Sequence, residues 1–189
     1  MTCPARVIGF CGLAGSGKTT AARALQDIHD WQRVSFAGPL KRMAEACGMT
    51  LSEMAGDLKE TPRAWLCGKT PRQFLQFIGT EFGRDMIGPD FWVNCWRNQV
   101  DRLVLEALAD LALEGLRIVA DDVRFPNEAA MIRSLGGIVV RIDRPGAGSA
   151  SGAGHASERM EFAPDLIIEN TGDLAQFEAA IAALAYPEK

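Results

Sequence analysis

The sequence predicts an α/β fold, with helices covering both faces of a five-stranded parallel sheet. Five short runs rich in Val, Ile and Leu are typical of buried strands. Segments whose apolar residues recur at helical spacing separate most of these runs, and this alternation is typical of a parallel sheet between two helical layers. With 48% hydrophobic residues among 189, the chain can bury a full core without disulfides or structural metal.

The first half of the chain is predicted to hold two strands and four helices. In order they are strand Arg6–Cys11, a helix from Lys18 to about His29, strand Arg33–Phe36, a helix from Pro39 to the Gly48 stop, a helix from Thr70 to about Met86 and a helix from Phe91 to about Leu113. Pro39 and Pro71 stand where a first-turn proline belongs, and Thr70 is a suitable N-cap. The weakly periodic residues 49–70 are expected to be short helix and loop.

The second half completes the sheet. Its predicted elements are strand Leu116–Ala120, helix Pro126–Leu135, strand Ile138–Ile142, strand Asp165–Glu169 and a final helix capped by Asp173. Residues 146–154 contain only Gly, Ala and Ser, which predicts a flexible loop.

Composition and charge argue against several classes of function. The 20 Lys and Arg against 24 Asp and Glu give a net charge of −4, so we expect no stable nucleic-acid partner. No apolar run reaches the roughly 18 residues of a membrane span, and the apolar N-terminal stretch lacks a signal-cleavage pattern. The five cysteines form no C-x-x-C pair and only two histidines are present, which predicts free thiols rather than a zinc site. We therefore predict a soluble, cytoplasmic protein without a membrane partner.

The strongest motif is GLAGSGKT at residues 12–19, which matches G-x-x-x-x-G-K-[ST] between a strand and a helix. Glycines let backbone N–H groups turn inward around a phosphate, and the helix N-terminus adds its positive end. Lys18 would reach the β- and γ-phosphates, and the Thr19 hydroxyl would ligate Mg²⁺. We predict that ATP is bound by Gly12, Ala14, Gly15, Ser16, Gly17, Lys18, Thr19 and Thr20.

Two aspartates and an arginine follow the third strand, where open α/β sheets place ligands. Either Asp121 or Asp122 can direct a carboxylate toward magnesium and its waters, and the other can cap the turn. Arg124 lies just beyond, placed to touch a transferring phosphoryl group. An ordinary turn after a strand is the alternative.

The helix from Thr70 carries two rows at i, i+4, i+8 spacing. The polar row is Arg72, Gln76 and Thr80. The apolar row is Phe74, Ile78 and Phe82. Gly79 and Gly83 remove bulk beside the polar row, and a first-turn cation such as Arg72 is favoured only near an anion. The polar row predicts a nucleotide-binding face. The alternative is a solvated face with glycines that serve helix packing. Lys41, also in the first turn of its helix, can likewise be either a contact for an anion or a solvent-exposed lysine.

Two later segments are candidates for nucleotide contacts. Arg144 precedes the Gly/Ala/Ser loop, which predicts an arginine-bearing lid that excludes water during transfer. Arg141 lies within a strand and suits a structural role, and His155 suits a lid surface better than a catalytic base. Asn170 and Gly172 form a turn after the fifth strand that can present backbone groups to an adenine edge, or serve only as a strand-to-helix turn.

Several segments together resemble the deoxynucleoside monophosphate kinase family of bacteriophages. They are GLAGSGKT, SFAGPLK, TPRQFLQFIGTEFGR, DFWVNCW, DVRFPNEA, VRIDRPG, HASE and IIENTGDLAQF, which in order and spacing cover nearly the whole chain. The resemblance implies a P-loop NMP-kinase-like three-layer α/β/α fold, with Mg²⁺, ATP as donor and a deoxynucleoside monophosphate as acceptor. It implies a core (1–36, 114–143 and 163–189), an acceptor-binding helical region at about 37–113 and a small lid at about 144–160. A phage-encoded protein would act in the host cytoplasm.

The residue patterns and the resemblance together assign roles. Catalytic residues would be Lys18, Asp122, Arg124 and Arg144, with magnesium held by Thr19 and Asp122, directly or through water. Acceptor contacts would come from Lys41, Arg72, Gln76, Thr80, Arg84 and Trp92, and Asn170 and Gly172 would join the ATP site. The lid is poor in arginine, so its cation would be Arg144, Arg159 or neither.

Other functions remain open from sequence. One is a P-loop kinase of another phosphorylated small molecule, of the dephospho-coenzyme A or phosphomevalonate type, and another is an NTPase switch or motor subunit. The polar row and the loop favour a second small-molecule pocket. The base preference, the selectivity for deoxyribose and the presence of a homodimer are not fixed by the sequence.

Overall fold

The order of the five strands places the first one in the middle of the sheet. The computed structural model describes residues 5–29, 31–109, 116–148 and 160–185. Within them the strands are β1 Arg6–Cys11, β2 Gln32–Arg33, β3 Arg117–Ala120, β4 Ile138–Asp143 and β5 Leu166–Glu169. The order is β2-β3-β1-β4-β5, and these pairings are parallel. The carboxyl ends of β1, β3 and β4 therefore meet at one edge, where open α/β sheets bind ligands.

Helices lie on both faces of the sheet. The α-helices are α1 Lys18–His29, α2 Gly38–Ala46, α3 Leu51–Ala55, α4 Pro71–Phe77, α5 Phe91–Ala109, α6 Pro126–Ser134 and α7 Leu174–Ala185. α1 and α7 pack together on one face, over Phe10 of the central strand. α6 packs on the other face, where Gly9 leaves room for the side chain of Ile132. The predicted three-layer α/β/α fold is confirmed. Among the described helices, none is long and apolar enough to cross a membrane.

The chain divides into two compact units. We call residues 36–96 the helical unit, and the described residues of 1–35 and 97–189 the sheet unit. The helical unit has a small core of its own, formed by Ala44, Met49, Met54 and Leu66, with Phe74 and Leu75 packed against it. Besides α2, α3 and α4 it contains two 3₁₀ turns, Asp57–Glu60 and Ala64–Leu66, in the region where sequence predicted short helix and loop.

Two predicted elements differ from the structure. The second strand was expected to reach Phe36, but it ends at Arg33, although the Val34 N–H still donates to the Val119 carbonyl at 2.9 Å. Phe36 instead stacks on Trp96, with ring centroids 4.7 Å apart. The helix expected from Thr70 to Met86 is α-helical only to Phe77 and continues as a wider π-helical segment, Ile78–Ile87.

The packing of Trp92 accompanies this wider segment. Its indole Nε1 donates to the carbonyl oxygen of Gly79 at 2.8 Å, and a side chain at Gly83 would collide with the same ring. Gly83 therefore serves helix packing, which is the alternative given for these glycines in the sequence analysis. The change in helical period also moves Thr80 out of an exact row with Arg72 and Gln76.

Candidate functional site

The loop that the sequence predicts to bind phosphate, residues 12–17 between β1 and α1 and called the phosphate loop below, depends on three glycines. Their φ angles are +136° at Gly12, +80° at Gly15 and +111° at Gly17, in a region that side chains rarely adopt. A Cβ at Gly12 would also lie 2.5 Å from the backbone oxygen of Ile142. The loop therefore has the backbone conformation that its glycines predict, directly before the N-terminus of α1, where anions bind.

Lys18 folds back over this loop. Its Nζ donates to the carbonyl oxygens of the first two loop residues, at 2.8 and 2.7 Å. Burial is the main cause that lowers the pKa of Lys18, and the charge of Arg124 acts in the same direction, whereas Asp121 and Asp122 oppose it. The structure thus brings Lys18, Asp122 and Arg124 into one electrostatic group. A bound anion would relieve the repulsion between its two cations.

Asp121 is the aspartate that bonds to the magnesium-ligand candidate Thr19. It is 4% exposed, and its Oδ2 accepts the Thr19 hydroxyl at 3.0 Å. Arg33 donates to both carboxylate oxygens, at 3.0 and 2.6 Å, and the Ser35 hydroxyl donates to Oδ1 at 3.0 Å. Burial alone would raise the pKa of Asp121, but the hydrogen bonds and the charge of Arg33 outweigh it and hold that pKa below its ordinary value. Asp121 is therefore a fixed negative charge beside the loop.

Sequence reasoning missed Arg33 and Ser35. They stand two positions apart in a segment predicted to be extended, so both side chains point to the same side, and this spacing was the available signal. The sequence had left open which aspartate faces the metal, and the structure gives the Thr19 contact to Asp121. Asp122 is half-buried, and its role as a metal ligand stays a prediction.

A buried glutamate shapes the turn that carries Arg124. Glu128, 3% exposed in the first turn of α6, accepts the backbone N–H groups of Arg124 at 2.7 Å and of Phe125 at 3.1 Å. The sequence had not singled out Glu128. The turn after β3 is therefore held by its backbone, while the Arg124 side chain is exposed.

A cavity of about 420 Å³ opens beside the phosphate loop, at the ends of β4 and β5. It is lined by Leu13, Ser16, Ile142, Asp143, Arg144, Pro145, Ala147, Glu169 and Thr171. Arg144 is exposed, whereas Arg141 pairs with Asp143 at 2.8 Å within β4, as its structural interpretation predicts. The cavity has the size of a small-molecule pocket.

The predicted lid begins against the phosphate loop. The N–H of Gly148 donates to the carbonyl oxygen of Ala14 at 2.9 Å. The following part of the lid, with His155 and Arg159, lies outside the described residues. The catalytic role of Arg144 stays a prediction.

Asn170 contacts the phosphate loop with its side chain. Its Nδ2 donates to the carbonyl oxygen of Ser16 at 2.9 Å, and its backbone N–H donates to the Asp143 carbonyl at 2.7 Å. Gly172 is exposed in the next turn, and Asp173 caps α7 by accepting the Gln176 N–H at 2.9 Å. The adenine contact expected of Asn170 and Gly172 stays a prediction.

The predicted acceptor residues lie on several elements of the helical unit. Lys41 is on α2, Arg72 and Gln76 are on α4, Thr80 and Arg84 are on the π-helical segment, and Trp92 is on α5. The first five are half-buried, whereas Trp92 is 4% exposed. Arg72 forms an ion pair with Glu60, and Arg84 donates to the Pro89 carbonyl at 3.2 Å. Their contacts with an acceptor stay predictions.

No ready-made metal cage is present among the described residues, because they contain no group of three or more His, Cys, Asp or Glu that could hold an ion. Magnesium often binds through one or two protein oxygens together with substrate phosphates. Thr19 and the two aspartates after β3 are the residues available for that kind of site.

Comparisons with known proteins indicate the family to which the chain belongs. A curated protein of Acanthamoeba polyphaga mimivirus, named "Putative deoxynucleotide monophosphate kinase", is 36% identical over 186 residues, which cover 93% of each chain. A giant virus is not a bacteriophage, so the phage origin stays a prediction. The crystal structure of TT1252 from Thermus thermophilus covers 98% of this chain and 99% of that one, with a TM-score of 0.52 and 20% identity, and it supports the fold alone. No protein-family model matches the chain. On the identity and coverage of the viral relative, the chain belongs to the deoxynucleotide monophosphate kinase family.

Proposed function

We propose that this protein transfers the γ-phosphate of ATP to a deoxynucleoside 5′-monophosphate, giving ADP and the deoxynucleoside diphosphate. One observation carries the proposal: Lys18 contacts two carbonyl oxygens of a glycine-built loop and lies within range of the charges of Arg124 and of the aspartates after β3. Phosphoryl transfer depends mainly on positioning and on fixed charges around the transferring group. This group of residues offers both.

The donor would be held by the sheet unit. Lys18 would exchange its two carbonyl partners for the β- and γ-phosphates, and Arg124 and Arg144 would neutralise charge on the transferring group. The cavity of about 420 Å³ beside the loop is large enough for a nucleoside, with Asn170 and Gly172 at the strand end next to it.

The residues also fit a magnesium ion that binds with the triphosphate. The Thr19 hydroxyl donates its proton to Asp121, so its oxygen lone pairs remain available to an ion. Both oxygens of Asp121 already accept hydrogen bonds, so Asp121 would orient Thr19, and Asp122 would contribute a ligand directly or through water. When bound, the ion would neutralise charge between the β- and γ-phosphates.

The acceptor would be bound by the helical unit. Arg72 would exchange its exposed partner Glu60 for the acceptor phosphate, a change of partner that costs little because exposed ion pairs are weak. The other proposed acceptor contacts are Lys41, Gln76, Thr80, Arg84 and Trp92. The attacking oxygen is already anionic, so transfer needs no general base.

The test is ADP formation from Mg-ATP with dAMP, dCMP, dGMP or dTMP added in turn. We expect ADP only when a suitable acceptor is present, and a large loss of rate in Lys18→Ala. Lys69→Ala, which removes an exposed lysine of the helical unit, is the matched control and should keep the rate. Equal ADP formation with and without every acceptor would contradict the kinase proposal. If ADP forms only with another phosphorylated small molecule, that molecule would replace the deoxynucleoside monophosphate as the proposed acceptor.

A further inference from the structure

The side chain of Asn170 ties the carboxyl end of the sheet to the phosphate loop. Its Nδ2 donates to the Ser16 carbonyl at 2.9 Å, while its backbone N–H donates to the Asp143 carbonyl at 2.7 Å. One residue directly after β5 thus bonds both to the end of β4 and to a loop 154 positions earlier in the chain.

This bond fixes the direction of one loop peptide. In a trans peptide, the C=O and the following N–H point in opposite directions, and the described residues contain no cis peptide. The Ser16 carbonyl is directed at Asn170, so the Gly17 N–H is directed away from it. That N–H lies immediately before α1, among the groups that bind anions at a helix N-terminus.

The packing of Asn170 and Phe177 against Gly17 also restricts the position of this peptide. A Cβ at Gly17 would lie 2.7 Å from Nδ2 of Asn170 and 3.3 Å from the ring of Phe177. Phe177 is 4% exposed in the core between α1 and α7, and Ser16 is 1% exposed. Asn170 and Phe177 therefore form a close wall behind this part of the loop, and only a glycine fits against it.

We propose that Asn170 is a positioning residue for the donor phosphates, which holds the Ser16–Gly17 peptide so that loop N–H groups face them. This differs from the adenine contact that the sequence suggests for the same turn, because it acts on the phosphates whatever base is attached. It rests on the proposed triphosphate site, but not on the identity of the acceptor.

The experiment measures the affinity of Asn170→Ala for ADP and for inorganic pyrophosphate, by competition with a fluorescent ADP analogue. We expect both ligands to bind about tenfold more weakly, the effect of losing one such hydrogen bond. In turnover assays the KM for ATP should rise and the KM for the acceptor should stay the same. Gln176→Ala is the matched control, because it removes a side-chain hydrogen bond to the Asp173 N–H in the same turn without touching the loop.

Comparing ADP with pyrophosphate distinguishes a role of Asn170 toward the phosphates from a role toward the nucleoside. Weaker ADP binding with unchanged pyrophosphate binding would assign Asn170 to the nucleoside and overturn the proposal, and unchanged binding of both would overturn it too. Asn170→Asp has the same size but no donor, so it should bind both ligands at least as weakly as Asn170→Ala, and wild-type affinity would refute the proposal. Thermal unfolding of each variant checks that it is folded. Normal ADP binding without transfer to any deoxynucleotide would instead reject only the proposed function.

Discussion

Each of the two units contains a buried carboxylate held by an arginine. In the sheet unit Asp121 bonds to Arg33 at 2.6 Å, and in the helical unit Glu53 bonds to Arg63 at 2.6 Å. The two carboxylates are 4% and 1% exposed. Both pKa values lie below their ordinary range; that of Glu53 is lowered to about 2, chiefly by the hydrogen bond from the Thr50 backbone N–H. By burial and charge pairing alone the two sites look alike.

Their remaining partners separate them. Glu53 accepts the backbone N–H and the hydroxyl of Thr50, the N-cap of α3, and the indole N–H of Trp65. It therefore joins a helix cap to a neighbouring turn and stabilises the fold of a small unit. Asp121 accepts the hydroxyl of Thr19, beside the phosphate loop. A buried arginine–carboxylate pair thus indicates a functional site only when a further partner belongs to that site.

The largest expected effect is on kcat, and it distinguishes Asp121 from Glu53. In Asp121→Asn the orientation of Thr19 and a fixed charge beside the phosphates are lost, so kcat should fall roughly 10²–10³-fold. In Glu53→Gln, assayed where it is folded, kcat should stay near the wild-type value. Both variants should unfold at lower urea concentration. An equal fall of kcat in both would mean that Asp121, like Glu53, acts only on the fold.

The second prediction concerns the stability of the helical unit. In Gly83→Ala the new methyl group meets the indole of Trp92, so the free energy of unfolding should fall by about 2 kcal/mol, as expected for overpacking. Glu81→Ala, an exposed change on the same segment, should shift it by less than about 0.5 kcal/mol. Urea denaturation measures both. Equal values would show that the contact between Gly83 and Trp92 does not stabilise the unit.

The third prediction separates acceptor from donor binding. Arg72→Ala should raise the acceptor KM roughly tenfold, about the value of one charged hydrogen bond, and leave the KM for ATP unchanged. Glu60→Gln removes the partner of Arg72 in the free protein and should not raise the acceptor KM. Steady-state kinetics with each substrate varied supplies both constants. A rise in the KM for ATP alone would reject the assignment of Arg72 to the acceptor.

The last prediction concerns the dependence of stability on pH. Because the pKa of Glu53 is lowered from 4.5 to about 2 on folding, the unfolded chain binds more protons between these values, and stability falls as the pH drops through that range. Asp121 contributes with the same sign below its unfolded value of about 3.9. Urea midpoints between pH 5 and pH 3 should fall less steeply in Glu53→Gln. Parallel falls in variant and wild type would contradict the lowered pKa.

The sequence predicted the features that depend on local pattern. The glycine loop, the N-cap at Thr70 and the cap at Asp173 follow from short motifs, and the structure has each of them. The pairing of Arg33 with Asp121 joins residues 88 positions apart, and neither local spacing nor periodicity specifies that partner. The π-helical segment was missed for a similar reason, because its apolar spacing fits an α-helix and the packing of Trp92 against Gly79 and Gly83 is a tertiary contact.

The transfer of labelled phosphate is the decisive measurement for the proposed kinase activity. ATP labelled in the γ-phosphate is incubated with Mg²⁺ and each deoxynucleoside monophosphate, and the products are separated. We expect label to move to the deoxynucleoside diphosphate for at least one acceptor, and Lys18→Ala to abolish the transfer. Label found only in inorganic phosphate, in the same amount with and without acceptors, would contradict that activity.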